Sequence, residues 1–358
     1  MLVGKDEGND IKIIATYQSD TGSFLLFNND GEEICQYVPV LDIIQEYEPN
    51  NFDFHILHND RTDYGENCIY QVLVQGRHRI GWIFPIQCLE SKEHDYSGNN
   101  HFLKYAYVAL VHLLNRGCSI AEGKIGEIVK LSDFYNMDET VLLVDKTNTR
   151  KIDGFDFDYY VVSLFAHGYS FTGNGNLYNS CEGVEDKHLA LKPLSEQLRD
   201  SYYIVQLYKD IIPVAQDTIS KFFVGYQMIE IMIAKIFNVE FNIILDKMKK
   251  AGLDVDLFKI KDDLIDKTSE AKRIKELLSS CTVVDSVDKE ALKLKCNKML
   301  SLYGRSKCDD TAKSLYEVRC MIAHRCYILN KDGIEILEDI NDTLYGIIYQ
   351  MAISFKMQ

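Results

Sequence analysis

The stretch from Ile219 to Phe237 reads ISKFFVGYQMIEIMIAKIF. Its large apolar residues recur at intervals of mostly three and four positions: Ile219, Phe222, Phe223, Tyr226, Ile229, Ile233, Ile236 and Phe237. An α-helix turns once in about 3.6 residues, so this spacing predicts a long helix with one apolar face. Similar patterns recur from about Leu189 to Phe355, and we predict a bundle of about five helices over residues 188–358.

The preceding part of the chain follows a strand-like pattern. Short apolar runs occur at residues 11–17, 22–27, 52–57, 69–74, 79–84, 140–144 and 159–165, and one helix is predicted from about His101 to Asn115. Asn28-Asn29-Asp30-Gly31 indicates a hairpin turn, and the glycine-rich residues 168–187 indicate a linker. We therefore predict an α+β protein, with a β-rich N-terminal domain (1–180) followed by an all-α C-terminal domain (188–358).

Length and composition agree with two globular domains. The chain has 358 residues, of which 46% are hydrophobic and 26% charged. Its ten cysteines include no Cys-x-x-Cys pair, and no apolar run approaches the roughly 18 residues that a membrane helix needs. We expect a soluble cytoplasmic protein with reduced thiols and no membrane partner.

Net charge distinguishes the two parts of the chain. The formal net charge is −15, which argues against nucleic-acid binding over the whole surface. Residues 1–200 carry 16 Lys+Arg and 31 Asp+Glu, whereas residues 201–358 carry 23 of each. The acidic excess therefore lies in the N-terminal part, and the neutral C-terminal part remains compatible with an anionic ligand.

A second stretch carries the candidate chemistry: Ser314-Leu315-Tyr316-Glu317-Val318-Arg319-Cys320-Met321-Ile322-Ala323-His324. Arginine can hold a phosphate with its planar donor fork, and histidine can transfer protons near neutral pH. RNA supplies its own nucleophile, the 2′-hydroxyl, so these two residue types suffice for cleavage without a metal. Five helical positions separate Arg319 from His324 by about 140°, so the pair would flank a groove that a second copy of the helix could complete.

The same residues also allow a structural interpretation. Ile322 and Ala323 indicate a core-facing segment, in which a histidine commonly has an ordinary hydrogen bond. Arg319 could form an ion pair with Glu317 or Glu230. The residues alone do not decide between catalysis and packing.

The pattern resembles the HEPN superfamily, including its Apea-like members. Its signature is an arginine, four to six residues and a histidine, late in a helical bundle. Arg319 and His324 fit this spacing, and Ile322-Ala323 is typical of the residues before the histidine. The segment Phe222–Glu230 resembles the first long HEPN helix, whose acidic residue points toward the Arg/His site; Glu230 matches it. The resemblance covers roughly residues 190–358.

This resemblance implies a metal-independent endoribonuclease without cofactors, with a composite site at a homodimer interface. It also implies a role in antiphage defence or as a toxin, with the N-terminal domain as a sensor contacted by a phage-derived or cognate regulatory protein. Cys320 departs from the family, where Asn, Asp or His often follows the arginine. Arg325, Lys313 and Tyr316 are candidate RNA contacts. The alternative is a non-catalytic HEPN-like module for dimerisation or partner binding.

Two further groups in the N-terminal part could carry chemistry. Asp53, His55, His58 and Asp60 contain metal-ligand types, but a strand would direct His55 and His58 to opposite faces, which argues against shared ligation. Arg77-His78-Arg79 places two arginines on one face of a predicted strand. That face could contact an anion or could simply be solvated.

Overall fold

A computed structural model describes residues 13–28, 30–43, 45–59, 65–116, 125–172, 187–250 and 257–357. The chain divides into two compact units. The first comprises Met1–Phe155 with Val184–Leu191, and the second Asp156–Gly183 with Lys192–Gln358. Sheets dominate the first unit and helices the second, so the predicted α+β class is confirmed.

The first unit contains two sheets and a buried helix. Its elements are β1 (Ile14–Gln18), β2 (Ser23–Phe27), β3 (Glu33–Tyr37), β4 (Phe52–Asn59), β5 (Tyr70–Val74), β6 (His78–Pro85), α1 (Asn100–Leu114), β7 (Ile128–Val129), β8 (Thr140–Asp145), α2 (Lys146–Thr149) and β10 (His188–Leu191), where β10 follows a strand of the second unit. The small sheet has the order β1-β2-β3-β7, and the larger one includes the order β10-β5-β6-β8-β4.

Most predicted strands are confirmed by this topology. The hairpin turn before Gly31 joins the antiparallel strands β2 and β3, and Gly31 has a φ of 79°. Strand β10 instead lies parallel to β5. The predicted helix at 101–115 is α1, which the side chain of Asn99 caps by accepting from the backbone N–H groups of His101 and Phe102. Its buried aromatic residues pack against the single tryptophan, Trp82 of β6.

The predicted strand at 159–165 is wrong. These residues form the end of a 3₁₀ turn (Phe157–Tyr160) and helix α3 (Val161–Ala166). All six residues of α3 are buried. A short run of apolar residues has no periodicity that would distinguish a buried strand from a buried helix. The sequence pattern at 159–165 therefore could not predict the helix.

The boundary between the units also differs from the predicted one at 180–188. Residues 156–172 belong to the helical unit, because Val161, Val162 and Phe165 pack in the helical core. Conversely, β10 belongs to the sheet unit through its pairing with β5. The predicted glycine-rich linker lies mostly at 173–186, outside the described residues.

The second unit is a helical bundle. Its remaining elements are β9 (Tyr169–Ser170), α4 (Tyr202–Gln206), α5 (Thr218–Lys250), α6 (Leu257–Thr268), α7 (Glu270–Glu276), α8 (Ser286–Leu302), α9 (Thr311–Arg325) and α10 (Lys331–Ser354). The apolar face of α5 predicted from the sequence is buried in the core, with Phe222 and Tyr226 almost fully enclosed. Pro213 lies in the 3₁₀ turn Ile212–Val214, which precedes α5.

Candidate functional site

Helix α9 carries most of the candidate residues, and its sequence defines one buried face. Asp310 caps the helix by accepting from the backbone N–H of Lys313 at 2.8 Å. The buried positions of the helix recur at helical spacing: Ala312, Ser314, Leu315, Val318, Met321 and Ile322. The prediction that Ile322 and Ala323 face the core is confirmed for Ile322 and wrong for Ala323, whose side chain is exposed.

Arg319 lies beside this buried face and is held by helices α5 and α7. Its Nη2 donates to Oε1 of Glu230 at 3.1 Å. Its Nε lies 4.0 Å from Oε1 of Glu270, too far for a hydrogen bond, and that Nε is buried without a hydrogen-bond partner among the described residues. Its guanidinium carbon stands 5.7 Å from the ring centroid of Tyr226. The arginine is therefore fixed by two carboxylates and one aromatic face.

The partners of Arg319 also contact one another. The hydroxyl of Tyr226 donates to Oε1 of Glu270 at 2.8 Å. Tyr226 and Glu230 are four residues apart on α5, so their side chains lie on one face, one helical turn apart. Together these side chains form what we call the Arg319 cluster: Arg319, Glu230, Glu270 and Tyr226.

The charges of this cluster shift two pKa values. Burial opposes the positive charge of Arg319, but the hydrogen bond to Glu230 and the charge of Glu270 outweigh it, and the guanidinium pKa lies above its ordinary value. Burial and the adjacent Glu270 raise the pKa of the Tyr226 hydroxyl well above its usual range. Both groups therefore remain protonated at neutral pH, and neither serves as a general base in the cluster.

His324 lies in a different environment from Arg319. It is the penultimate residue of α9, and its exposed side chain makes no hydrogen bond to the rest of the described chain. No described contact joins it to Arg319, in keeping with the 140° separation expected on a helix. The structural alternative in which His324 is a hydrogen-bonded core residue is therefore wrong.

The other predicted site residues are distributed along the same helix. Arg325 ends α9 and is exposed, as is Lys313 in the first turn. Tyr316 is half-buried, and the neighbouring Cys320 thiol raises the pKa of its hydroxyl. Cys320 thus lies near Tyr316 on the same helix.

Sequence reasoning missed two members of the cluster, Glu270 and Tyr226, and left the partner of Arg319 open. Glu270 begins α7, 49 positions before Arg319, and no local pattern indicated that it would approach the arginine. Glu230 is the actual hydrogen-bond partner of Arg319. Glu317, the other candidate, pairs with Arg305 at 3.2 Å. Among the contacts of the Arg319 cluster, the family resemblance predicted only the one between Glu230 and Arg319.

The two N-terminal groups also have defined positions. Asp53 pairs with Lys146 at 3.0 Å, Asp60 lies outside the described residues, and no group of His, Cys, Asp and Glu in the described chain has the geometry to hold a metal ion. Arg77 lies in the turn before β6 and not on the strand, so the prediction of one strand face for both arginines is wrong. Arg77 and Arg79 nevertheless line the same cavity.

Comparison with known proteins found no matching family model, no matching curated protein and no matching solved structure. Among the described residues, no helix has the length and apolarity needed to cross a membrane.

Proposed function

We propose that this chain is a metal-independent endoribonuclease of the HEPN type. The observation that carries the proposal is the arrangement on α9. Arg319 is held by Glu230 of α5, the contact expected for this family, while His324 on the same helix presents an exposed ring.

Each residue has a role in the proposed reaction. His324 transfers one proton, either from the attacking 2′-hydroxyl or to the departing 5′-oxygen, and solvent water carries out the other transfer. Arg319 binds the scissile phosphate with the N–H groups that Glu230 leaves available, and Glu230 fixes its orientation. The phosphorus–oxygen bond to the 5′-oxygen breaks as the 2′-oxygen bond forms. The products carry a 2′,3′-cyclic phosphate, or a 3′-phosphate after hydrolysis, and a 5′-hydroxyl.

A second copy of the chain completes the proposed site. Because Arg319 faces α5 and α7 while His324 faces solvent, one helix does not bring both to one phosphate. A homodimer related by a two-fold axis can pair Arg319 of one copy with His324 of the other. The exposed Arg325 and Lys313 would contact the RNA backbone, and Tyr316 would line its path.

We also propose a cellular role by analogy with the family: antiphage defence or toxicity in the cytoplasm. The acidic sheet unit would be the sensor, contacted by a phage-derived or cognate regulatory protein. This role rests on the resemblance of the helical unit alone.

One observation favours the second candidate, a non-catalytic module for dimerisation or partner binding. Arg319 faces two carboxylates, so Arg319, Glu230 and Glu270 together carry one net negative charge. Such a group stabilises packing of α9 on α5 and α7 without any ligand. In this interpretation Arg319 is a structural residue, and the exposed His324 has no catalytic role.

Purified variants distinguish the two functions. Wild-type chain, His324→Ala and Arg319→Ala are incubated with total RNA in EDTA, and their thermal unfolding is measured in parallel. The nuclease proposal expects His324→Ala to unfold like the wild type but to cleave about 100-fold more slowly or worse. Arg305→Ala is the matched control for Arg319→Ala, because Arg305 is 32% exposed, against 28% for Arg319, and likewise forms an ion pair with a glutamate on a neighbouring segment. Equal cleavage by all chains, or a metal requirement, would refute the mechanism.

A further inference from the structure

A cavity in the sheet unit gathers the arginines that the proposed nuclease does not use. It has a volume of about 590 Å³ and lies where the β5–β6 hairpin meets β10 and α2. Its polar lining comes from Gln71, Arg77, Arg79, Asn148 and His188. Every one of these residues belongs to the first unit.

The backbone brings these side chains together from distant parts of the sequence. Parallel pairing places His188 of β10 beside Gln71 of β5. In regular antiparallel pairing, Ile80 of β6 would lie opposite Leu73 of β5. A shift in the register instead places Arg79 opposite Leu73. Helix α2, capped by Asp145, contributes Asn148 to the same cavity. The site is thus assembled by rigid elements and not by one flexible loop.

The charge of the cavity is opposite to that of its surroundings. Its described lining includes two arginines and one histidine but no carboxylate. The first 200 residues, by contrast, carry nearly twice as many acidic as basic residues. In such a sequence a pocket lined only by cationic and neutral residues is a local anion-attracting site.

Arg79 has unused hydrogen-bonding capacity. Its Nε is buried and has no hydrogen-bond partner in the described part of the chain. Its Nη1 reaches Oε1 of Gln71 only at 3.5 Å, the limit of a hydrogen bond. A buried guanidinium N–H without a partner is unfavourable, and a bound oxyanion near the fork would improve its environment.

We propose that this cavity binds a phosphate-bearing small molecule of nucleotide size. Arg77 and Arg79 would hold the phosphate groups, because a guanidinium presents paired donors that match phosphate oxygens. Gln71 and Asn148 carry amides that both donate and accept, suited to the polar edge of a base or sugar. The volume lies within the roughly 300–1,000 Å³ common for small-ligand sites. The proposal is independent of the nuclease activity of the helical unit.

The test measures binding to the full chain at constant ionic strength. ATP, inorganic pyrophosphate and adenosine are titrated without divalent metal, and heat of binding and thermal unfolding are recorded. We expect ATP and pyrophosphate to bind and adenosine not to bind. Arg77→Gln is the primary variant, because Arg77 is exposed in a turn and we expect its replacement to leave the fold intact. We expect it to weaken ATP binding by about 10-fold or more, and Arg77→Gln/Arg79→Gln to weaken it further.

Arg116→Gln is the matched control, since Arg116 is an exposed arginine of the same unit that stacks on Phe54 and does not line the cavity. It should bind ATP like the wild type. If Arg116→Gln and Arg77→Gln lost equal affinity for ATP, the loss would reflect only the lower positive charge of the protein, and the proposal would be overturned. The absence of ATP and pyrophosphate binding at millimolar concentrations, or undiminished binding by the double variant, would also overturn it.

Discussion

At the scale of single residues, Arg319 is the candidate site residue that contacts the other helices of the bundle. Its guanidinium touches Glu230 and the ring of Tyr226 and lies near Glu270, so its position depends on α5 and α7. Glu230 is 45% exposed, and an ion pair with that much solvent access contributes only about 0.2–1 kcal/mol to stability. The pair is therefore better suited to orienting Arg319 than to holding the fold together.

The substitution Glu230→Gln should therefore affect the rate of cleavage much more than the stability of the fold. The substitution should change the free energy of unfolding by about 1 kcal/mol or less. It should lower RNA cleavage by about 100-fold, because a misplaced phosphate ligand loses transition-state contacts. Single-turnover cleavage and chemical denaturation measure the two quantities. Glu317→Gln is the control, since Glu317 pairs with Arg305; a loss of activity equal to that of Glu230→Gln would contradict a specific orienting role.

Replacing Tyr226, unlike replacing Glu230, should lower the stability of the fold. Its hydroxyl is enclosed and donates to Glu270, so Tyr226→Phe should lower the free energy of unfolding by about 1–2 kcal/mol. Tyr327→Phe is the control, because Tyr327 is 81% exposed and should be neutral. Urea denaturation compares the two. Equal stability of Tyr226→Phe and the wild type would show that the hydrogen bond contributes nothing to stability.

Much of the candidate site was predictable because its signals are local. Arg319 and His324 share one helix, and their spacing alone gives their angular separation. The contact with Glu230 followed from the resemblance of a second helix. Glu270 was missed because its approach depends on how α7 packs against α9, and no periodicity in the sequence encodes that crossing.

At the scale of elements, the sheet depends on close contact between β6 and β8. Gly81 of β6 lies against the backbone of β8, and a Cβ at this position would overlap the carbonyl oxygen of Leu143. The strands themselves were readable from the sequence. The need for glycine at this position was not, because it arises only when β8 pairs with β6. The wrong prediction of a strand where α3 lies has the same cause, because only tertiary packing distinguishes this short apolar segment from a strand.

Gly81→Ala should therefore destabilise the sheet unit by about 3 kcal/mol or more. The buried Trp82, the only tryptophan in the chain, reports unfolding of this unit by fluorescence. Gly98→Ala is the control, because Gly98 has open space around its Cα and no positive φ. Similar unfolding midpoints for the two variants would contradict the packing described for β6 and β8.

At the scale of the whole molecule, the sheet unit should be sensitive to mild acid. His94 is buried, and burial lowers its pKa despite the nearby carboxylates of Glu66 and Asp95. The unfolded imidazole titrates near its ordinary pKa of about 6.5. Between that value and the lower folded pKa, the unfolded chain binds more protons, so stability is lost as the pH falls below about 6.5.

Unfolding followed by Trp82 fluorescence should therefore show a lower midpoint at pH 5.5 than at pH 7.5. His94→Gln removes this titration and should give a shallower dependence on pH, even if the variant is less stable at neutral pH. Identical slopes for wild type and His94→Gln would contradict the assignment.

The proposed homodimer makes a second prediction at this scale. Arg319→Ala and His324→Ala should each be inactive alone, but an exchanged mixture should recover activity. A mixed dimer can pair the intact Arg319 of one copy with the intact His324 of the other. A titration of one variant into the other, followed by RNA cleavage, measures the recovery. If mixing never exceeds the activity of the separate variants, the site is not shared between copies.

The most direct test of the account is the chemistry of the RNA ends. An RNA oligonucleotide is incubated in EDTA with the wild-type chain or with His324→Ala, and the product masses are determined. The proposed mechanism predicts 5′-hydroxyl ends together with 2′,3′-cyclic or 3′-phosphates from the wild type, and about 100-fold less of these products, or none, from His324→Ala. Products with 5′-phosphate and 3′-hydroxyl ends, or equal cleavage by both chains, would contradict it.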